Sequence, residues 1–277
     1  MPQVTSKDGT TIAYDQTGSG PAVILITGAL GVRYDQAMVD LLSEHFTVIN
    51  YDRRGRGESS DTAPYAVQRE IEDIEALIEV AGGASALYGI SSGAVLALET
   101  ANQLGSKVTK LAMYEPPLIL TDSRPPVPSD YVEQLEAAIE AGRPGDAAEI
   151  FMTQALRLPQ EYVDQMRHTP PQDVLGMKED VTPPMWAEME KVAHTLSYDG
   201  RVARDFMTGQ PLPADRLSGV TIPTLLIVGG NSEPFFSEGG ELVVAQLPDA
   251  RLEILEGQDH AVSSSALAPM LIDFLKG

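Results

Sequence analysis

The stretch that most constrains this chain runs from Ala84 to Ala97, A-S-A-L-Y-G-I-S-S-G-A-V-L-A. A short apolar run, Ala84 to Tyr88, leads into Gly89-Ile90-Ser91-Ser92-Gly93, and a helix-forming run, Ala94 to Thr100, follows. Strand, tight turn and helix form the setting in which G-x-S-x-G lifts a serine hydroxyl above the end of a sheet. A Cβ at either glycine would collide with the neighbouring strand or helix. The alternative is a plain glycine-rich turn, so the rest of the chain has to supply the context.

It supplies a strand-helix rhythm. Asp8-Gly9 between Gln3–Ser6 and Thr11–Tyr14 signals a hairpin. Ala22–Ile26 is an uninterrupted apolar run, as a strand buried on both faces requires, and stops at Thr27-Gly28-Ala29. Helical spacing over Asp35–Ser43 precedes a strand at Phe46–Tyr51 and the charged loop Asp52-Arg53-Arg54-Gly55-Arg56-Gly57-Glu58-Ser59. Val67–Val80 places Ile71, Ile74, Leu77 and Ile78 on one stripe, and Val108–Tyr114 is a further strand ending at Glu115-Pro116-Pro117. From Leu118 to about Ala214 only helices separated by prolines are readable, one opened by Thr182, Pro183 and Pro184. The rhythm resumes at Thr224–Val228, with a helix over Glu241–Leu247, a strand over Arg251–Leu255 and an amphipathic closing helix. The expected fold is α/β, a mostly parallel eight-stranded sheet with helices on both faces and a helical cap inserted after the sixth strand. The expected division is a core of residues 1–117 and 215–277 with a cap (lid) at 118–214.

Composition narrows the function. The net charge of -21 argues against binding a phosphate backbone and disfavours anionic membranes. With no cysteine there are no disulfides, thiolate metal sites or cysteine nucleophiles. The N-terminus lacks an apolar signal region and no apolar run reaches membrane-spanning length, so a cytoplasmic protein is expected, binding neither nucleic acid nor membrane. A small-molecule substrate is the expected partner. Asp259 adjoins His260, but no second ligand stands at metal spacing, so neither metal nor organic cofactor is implied.

A serine needs a base within hydrogen-bond reach. Of four histidines, His45 ends a helix, His168 and His194 lie in the insertion, and His260 follows the last strand, at the edge where open α/β sheets bind ligands. His260 is therefore the expected base.

With Gly89–Gly93, the Asp52–Ser59 loop and Gly257-Gln258-Asp259-His260 together, the chain resembles the α/β-hydrolase fold superfamily along essentially its whole length. The order serine, acid, histidine is that family's order. The resemblance implies that the Asp52–Ser59 loop is structural, its arginines fixing it through salt bridges. It implies an oxyanion hole from the main-chain N–H groups of Ser92 and Ala29. Relatives carry His-Gly where this chain has Thr27-Gly28, which costs an imidazole and keeps the main-chain donor. The family's usual acid position falls on Ser232, which cannot be an anion. Glu115, placed as in one subgroup of haloalkane dehalogenases, is favoured as the triad acid; Glu233 is the alternative and Asp259 the third choice.

These residues lead to a serine hydrolase of the carboxylic ester type, cleaving esters, lactones or thioesters of small to medium substrates. Two alternatives stay open: a cofactor-free perhydrolase or acyltransferase on the same triad, and a non-hydrolytic ligand-binding member of the fold. Met113, Phe151, Met152, Met185, Trp186, Met189 and Leu196 are the candidate acyl-pocket lining, although such a stripe is first of all packing.

Overall fold

The computed structural model describes residues 1–168 and 185–277. The sequence-predicted helix start at Thr182, Pro183 and Pro184 lies outside the described residues.

Eight strands form one sheet in the order β1-β2-β4-β3-β5-β6-β7-β8. They are β1 Gln3–Thr5, β2 Thr11–Thr17, β3 Ala22–Ile26, β4 Thr47–Tyr51, β5 Ser85–Ile90, β6 Val108–Tyr114, β7 Thr224–Gly229 and β8 Ala250–Leu255. From β4 to β8 every neighbouring pair is parallel, while β1 and β2 join antiparallel at one end. The central strands are buried because both faces are covered, so their sequences read as apolar runs without alternation.

The helices of this unit are α1 Gln36–Ser43, α2 Val67–Val80, α3 Ser92–Leu104 and, after the insertion, α9 Pro234–Val244 and α10 Ser264–Lys276. Asp35 caps α1 by accepting the Met38 N–H at 2.8 Å. On one face Met38, Val39 and Leu42 of α1 and Leu267, Leu271 and Phe274 of α10 pack with Val23, Leu25, Tyr88, Ala112, Leu225 and Ile227 from the strands. Each such fully buried aliphatic side chain is worth about 1.5–3 kcal/mol. The expected helix over Glu241–Leu247 begins seven residues earlier: Pro234 opens α9, where its fixed φ and missing N–H cost nothing.

The chain divides into two compact units, Met1–Pro126 with Val202–Gly277, and Val127–Arg201. The helical unit is thus shorter than the expected 118–214. Leu118, Ile119 and Leu120 are buried, and Ile119 accepts the Gly209 N–H at 2.8 Å. Phe206 and Leu212 are buried too, so apolar anchoring, unreadable from proline spacing, ties both flanks to the sheet unit.

Within the helical unit the helices are α4 Tyr131–Glu140, α5 Pro144–Ile150, α6 Gln160–His168, α7 Met185–Val192 and the start of α8 Leu196–Ala203. A π-helical turn, Phe151–Ala155, continues α5. Arg167 joins α6 to α5 through Asp146 at 2.7 Å and Glu149 at 2.5 Å, with its guanidinium over the Trp186 ring. No helix among the described residues is long and apolar enough to cross a membrane.

Candidate active site

Ser91 stands between β5 and α3 with φ 55° and ψ -127°, a backbone conformation that L-residues adopt only under strain. Close approach on both sides enforces it. A Cβ on Gly89 would strike the main chain of Gly93 and Ala94, and one on Gly93 would strike the carbonyls of Ile26 and Thr27. The turn is pinned from β6, since the Ser91 N–H donates to the Tyr114 carbonyl at 2.9 Å. Ser92, the first residue of α3, is buried, and its N–H belongs to the helix's opening turn.

Beside the serine lies the turn after β3. A Cβ on Gly28 would sit 3.0 Å from the Ser91 Cβ and 3.7 Å from its hydroxyl oxygen, so a side chain here would press on the serine. The Gly31 N–H closes the turn onto the Gly28 carbonyl at 3.2 Å, with Leu30 at φ 63°. That is the left-handed position a type II turn requires, and it makes the half-buried Ala29 the first corner.

The charged loop after β4 braces this turn from below. Arg53, 1% exposed, forms a bidentate pair with Glu70 at 2.8 Å on both bonds and donates to the Thr27 carbonyl at 3.2 Å. Arg54 pairs in the same bidentate way with Asp73 at 2.8 Å and reaches Asp8 at 2.9 Å. These are the loop-fixing salt bridges the resemblance implied. Arg56 also binds main chain: its Nη1 donates to the Gly28 carbonyl at 2.7 Å and the Gly31 carbonyl at 3.0 Å.

Glu115 and His260 meet at the carboxyl end of the sheet. Glu115 follows β6 at φ 44° and is fully buried. Its Oε2 lies 2.7 Å from Nδ1 of His260, and its Oε1 accepts the Gly229 N–H at 2.8 Å. Both oxygens therefore have a directed partner, which fixes the carboxylate in place. The imidazole stacks on Phe236 of α9, with ring centres 5.4 Å apart and planes 16° off parallel. Its loop is tied to the strands: the Tyr114 hydroxyl donates to the Asp259 carbonyl at 2.7 Å, and the Asn231 N–H to the Gln258 carbonyl at 2.9 Å. Burial first, and then the negative charges of Glu115 and Asp259, push the Tyr114 phenol pKa well up, so it stays a donor.

The other acids lie elsewhere. Glu233 is 60% exposed and has Arg124 at 3.7 Å, and Asp259 turns its carboxylate to the Ala261 N–H at 2.9 Å. Ser232, at the position where the resemblance looks for an aspartate, has a buried hydroxyl oxygen without a hydrogen-bond partner among the described residues. His45 and His194 make edge contacts with Phe46 and Tyr198, and His168 ends α6.

Of the expected pocket lining, Met113 is buried in β6, in register with Gly89 of β5. Met152, Trp186, Met189 and Leu196 are buried inside the helical unit, Phe151 is partly buried in the π-helical turn, and Met185 is 55% exposed. Sequence reasoning missed Phe236, the Tyr114 anchor and the main-chain bonds of Arg56. The Phe235-Phe236 pair after Pro234 was a visible signal, whereas a tyrosine in a buried strand and an arginine in a charged loop look ordinary. Among the described residues no group of three or more His, Asp or Glu side chains stands where it would hold a metal ion.

Residues 23–269 match the alpha/beta hydrolase family, and the chain belongs to it. An alpha/beta hydrolase from Sphaerobacter thermophilus DSM 20745 is 45% identical, with 99% of this chain and 100% of that one covered and a TM-score of 0.85. An esterase from Thermogutta terrifontis, 21% identical with 99% and 97% covered and a TM-score of 0.68, shares the fold. The uncharacterized hydrolase YraK of Bacillus subtilis (strain 168) is 29% identical over 116 residues, 40% of this chain, and the match spans only 43% of that relative's length.

Proposed function

We propose that this protein is a serine hydrolase that cleaves carboxylic esters, lactones or thioesters of small to medium acyl substrates through a covalent acyl-enzyme. The observation that carries the reading is the buried Glu115 carboxylate 2.7 Å from Nδ1 of His260, at the same sheet edge as the strained Ser91.

Glu115 holds the proton of His260 on Nδ1, leaving Nε2 free of a proton to act as base. The Ser91 hydroxyl attacks the acyl carbon as Nε2 takes its proton. The carbonyl electrons move onto oxygen, and the main-chain N–H groups of Ser92 and Ala29 stabilise that oxyanion. Collapse expels the alcohol or thiol, which receives the proton from His260. Water then attacks the acyl-enzyme with His260 again as base, releasing the acid and restoring Ser91. Buried Glu115 balances the imidazolium in both halves.

A fluorophosphonate probe with mass mapping tests this directly. One adduct per folded chain is expected on Ser91, and none on Ser91→Ala. p-Nitrophenyl esters of increasing acyl length are expected to turn over, with Ser91→Ala reducing kcat about 10⁶-fold. Full turnover by Ser91→Ala would overturn the mechanism, and a folded protein that takes no adduct would instead indicate a ligand-binding role.

A further inference from the structure

Arg56 is the buried side chain whose contacts the mechanism above leaves unused. It is 1% exposed, and one nitrogen, Nη1, bridges the Gly28 carbonyl at 2.7 Å and the Gly31 carbonyl at 3.0 Å. The Gly28 carbonyl and the Ala29 N–H are the two ends of a single planar trans peptide, so they point in opposite directions. Whatever fixes the carbonyl also aims the N–H. The Gly28 oxygen, drawn toward Arg56 and the Gly31 N–H, turns the Ala29 N–H outward from the turn. The Cα of Gly28 next to it adjoins Ser91.

We propose that Arg56 is a positioning residue for the oxyanion donor of Ala29, orienting its peptide and polarising its N–H through the Gly28 carbonyl. This rests on the acyl-enzyme reading above. A guanidinium hydrogen bond draws electron density toward the carbonyl oxygen, which strengthens the opposite N–H as a donor, about 10–30% per bond in a chain of hydrogen bonds. The charge acts where water is excluded, so solvent does not screen it. Gly31 serves as the second point of attachment: with both ends of the turn on one nitrogen, the corner between them cannot rotate. Arg53, which binds the preceding carbonyl of Thr27, has Glu70 as its main partner. Arg56 addresses the donor's own peptide.

The test uses the full chain with Arg56→Lys, Arg56→Gln and Arg56→Met, each checked for a cooperative thermal melt. Three readings are taken on each: steady-state kinetics on one p-nitrophenyl ester, affinity for a trifluoromethyl ketone, and affinity for the corresponding alcohol. The ketone adds the Ser91 oxygen to its carbonyl carbon, passes the serine proton to His260 and leaves an oxyanion in the hole; the alcohol fills the same space without charge. Losing a whole oxyanion donor costs about 10²–10³ in kcat, so Arg56→Met and Arg56→Gln are expected to lose about 10²-fold and Arg56→Lys about tenfold. KM and alcohol affinity stay within about twofold, and ketone affinity falls in parallel with kcat. Equal weakening of ketone and alcohol, or a rise in KM at constant kcat, would show a merely structural arginine and overturn the proposal. The Ala29 amide proton resonance supplies a reading that needs no turnover: it is expected to move upfield in each folded variant, and an unmoved resonance overturns the proposal. Should Ser91→Ala prove fully active, the hydrolase reading fails while the amide shift still decides the Arg56–Ala29 coupling.

Discussion

The two loops proposed to serve Ser91 are built on opposite plans. The turn after β3 rests on buried cations, with Arg53 and Arg56 on its carbonyls and Glu70 and Asp73 neutralising the loop beneath. The loop after β8 is light by comparison. His260 is 43% exposed on its side chain, Asp259 is exposed, and the anchors are a tyrosine hydroxyl, one main-chain bond and a single buried carboxylate. The contrast follows the two tasks proposed for them. Donors that meet a developing negative charge must already be aimed, because reorganising dipoles during the reaction costs rate. A base that takes and returns a proton needs one well-oriented partner and some freedom to move.

If that contrast is right, the light loop fails in chemistry and the salt bridges beneath the braced turn fail in folding. Among changes to the partners of these two loops, the largest effect is expected from Glu115→Gln, which preserves shape but no longer sets the imidazole tautomer. Turnover of a p-nitrophenyl ester should fall about 10⁴-fold with the thermal midpoint nearly unchanged. A drop in stability with little loss of turnover would show the Glu115–His260 pair to be a structural bridge. Glu70→Met reverses the signature. It strands a buried guanidinium, costing about 3–5 kcal/mol of stability in urea titrations, while the surviving folded fraction keeps a kcat near that of the parent. Phe236→Leu removes the face on which His260 stacks; aromatic pairs are worth about 0.5–1.5 kcal/mol, so a loss of about tenfold at most in kcat is expected. The smallest effect belongs to Asp8, whose carboxyl, although burial pulls it upward, is held at about 2 by hydrogen bonds from Thr10 and Arg54. A carboxyl lowered on folding stabilises the native state above its unfolded pKa, and that contribution disappears as pH falls through the folded one. Stability measured from pH 5 to pH 2 should therefore fall less steeply in Asp8→Asn than in the parent.

Apolar runs were sufficient for the middle of the sheet because the central strands are buried on both faces. Ala22–Ile26 was read with its structural limits, and Thr224–Val228 one residue short of its end. The strands' order was not readable from the sequence, since a buried run says nothing of its neighbours. Ser91 and His260 were legible because glycines and strand ends mark them. Glu115 was harder. Its left-handed backbone is invisible in a string of letters, and Glu233 lay only one residue past the family's usual acid position. Least legible were features made by side chains from distant positions meeting, such as Phe236 on His260, or Leu118 and Phe206 moving the unit boundary inward. Hydrophobicity announces that such residues will be buried without saying against what.

The bond from the Ser91 N–H to the Tyr114 carbonyl has one more consequence. Ile90 and Tyr114 are the last register partners of β5 and β6, so Ser91 and Glu115 are the residues that directly follow the end of one parallel ladder. The strands from which they leave are held about 4.8 Å apart by the ladder, a spacing that no loop sets. Insertions or deletions elsewhere in the connecting segments leave this gauge untouched, whereas slipping β6 by a single residue would reverse the side-chain faces and carry Glu115 away from His260. The chain has tied two partners, 24 positions apart in its numbering, to the most rigid measure of length a protein backbone possesses.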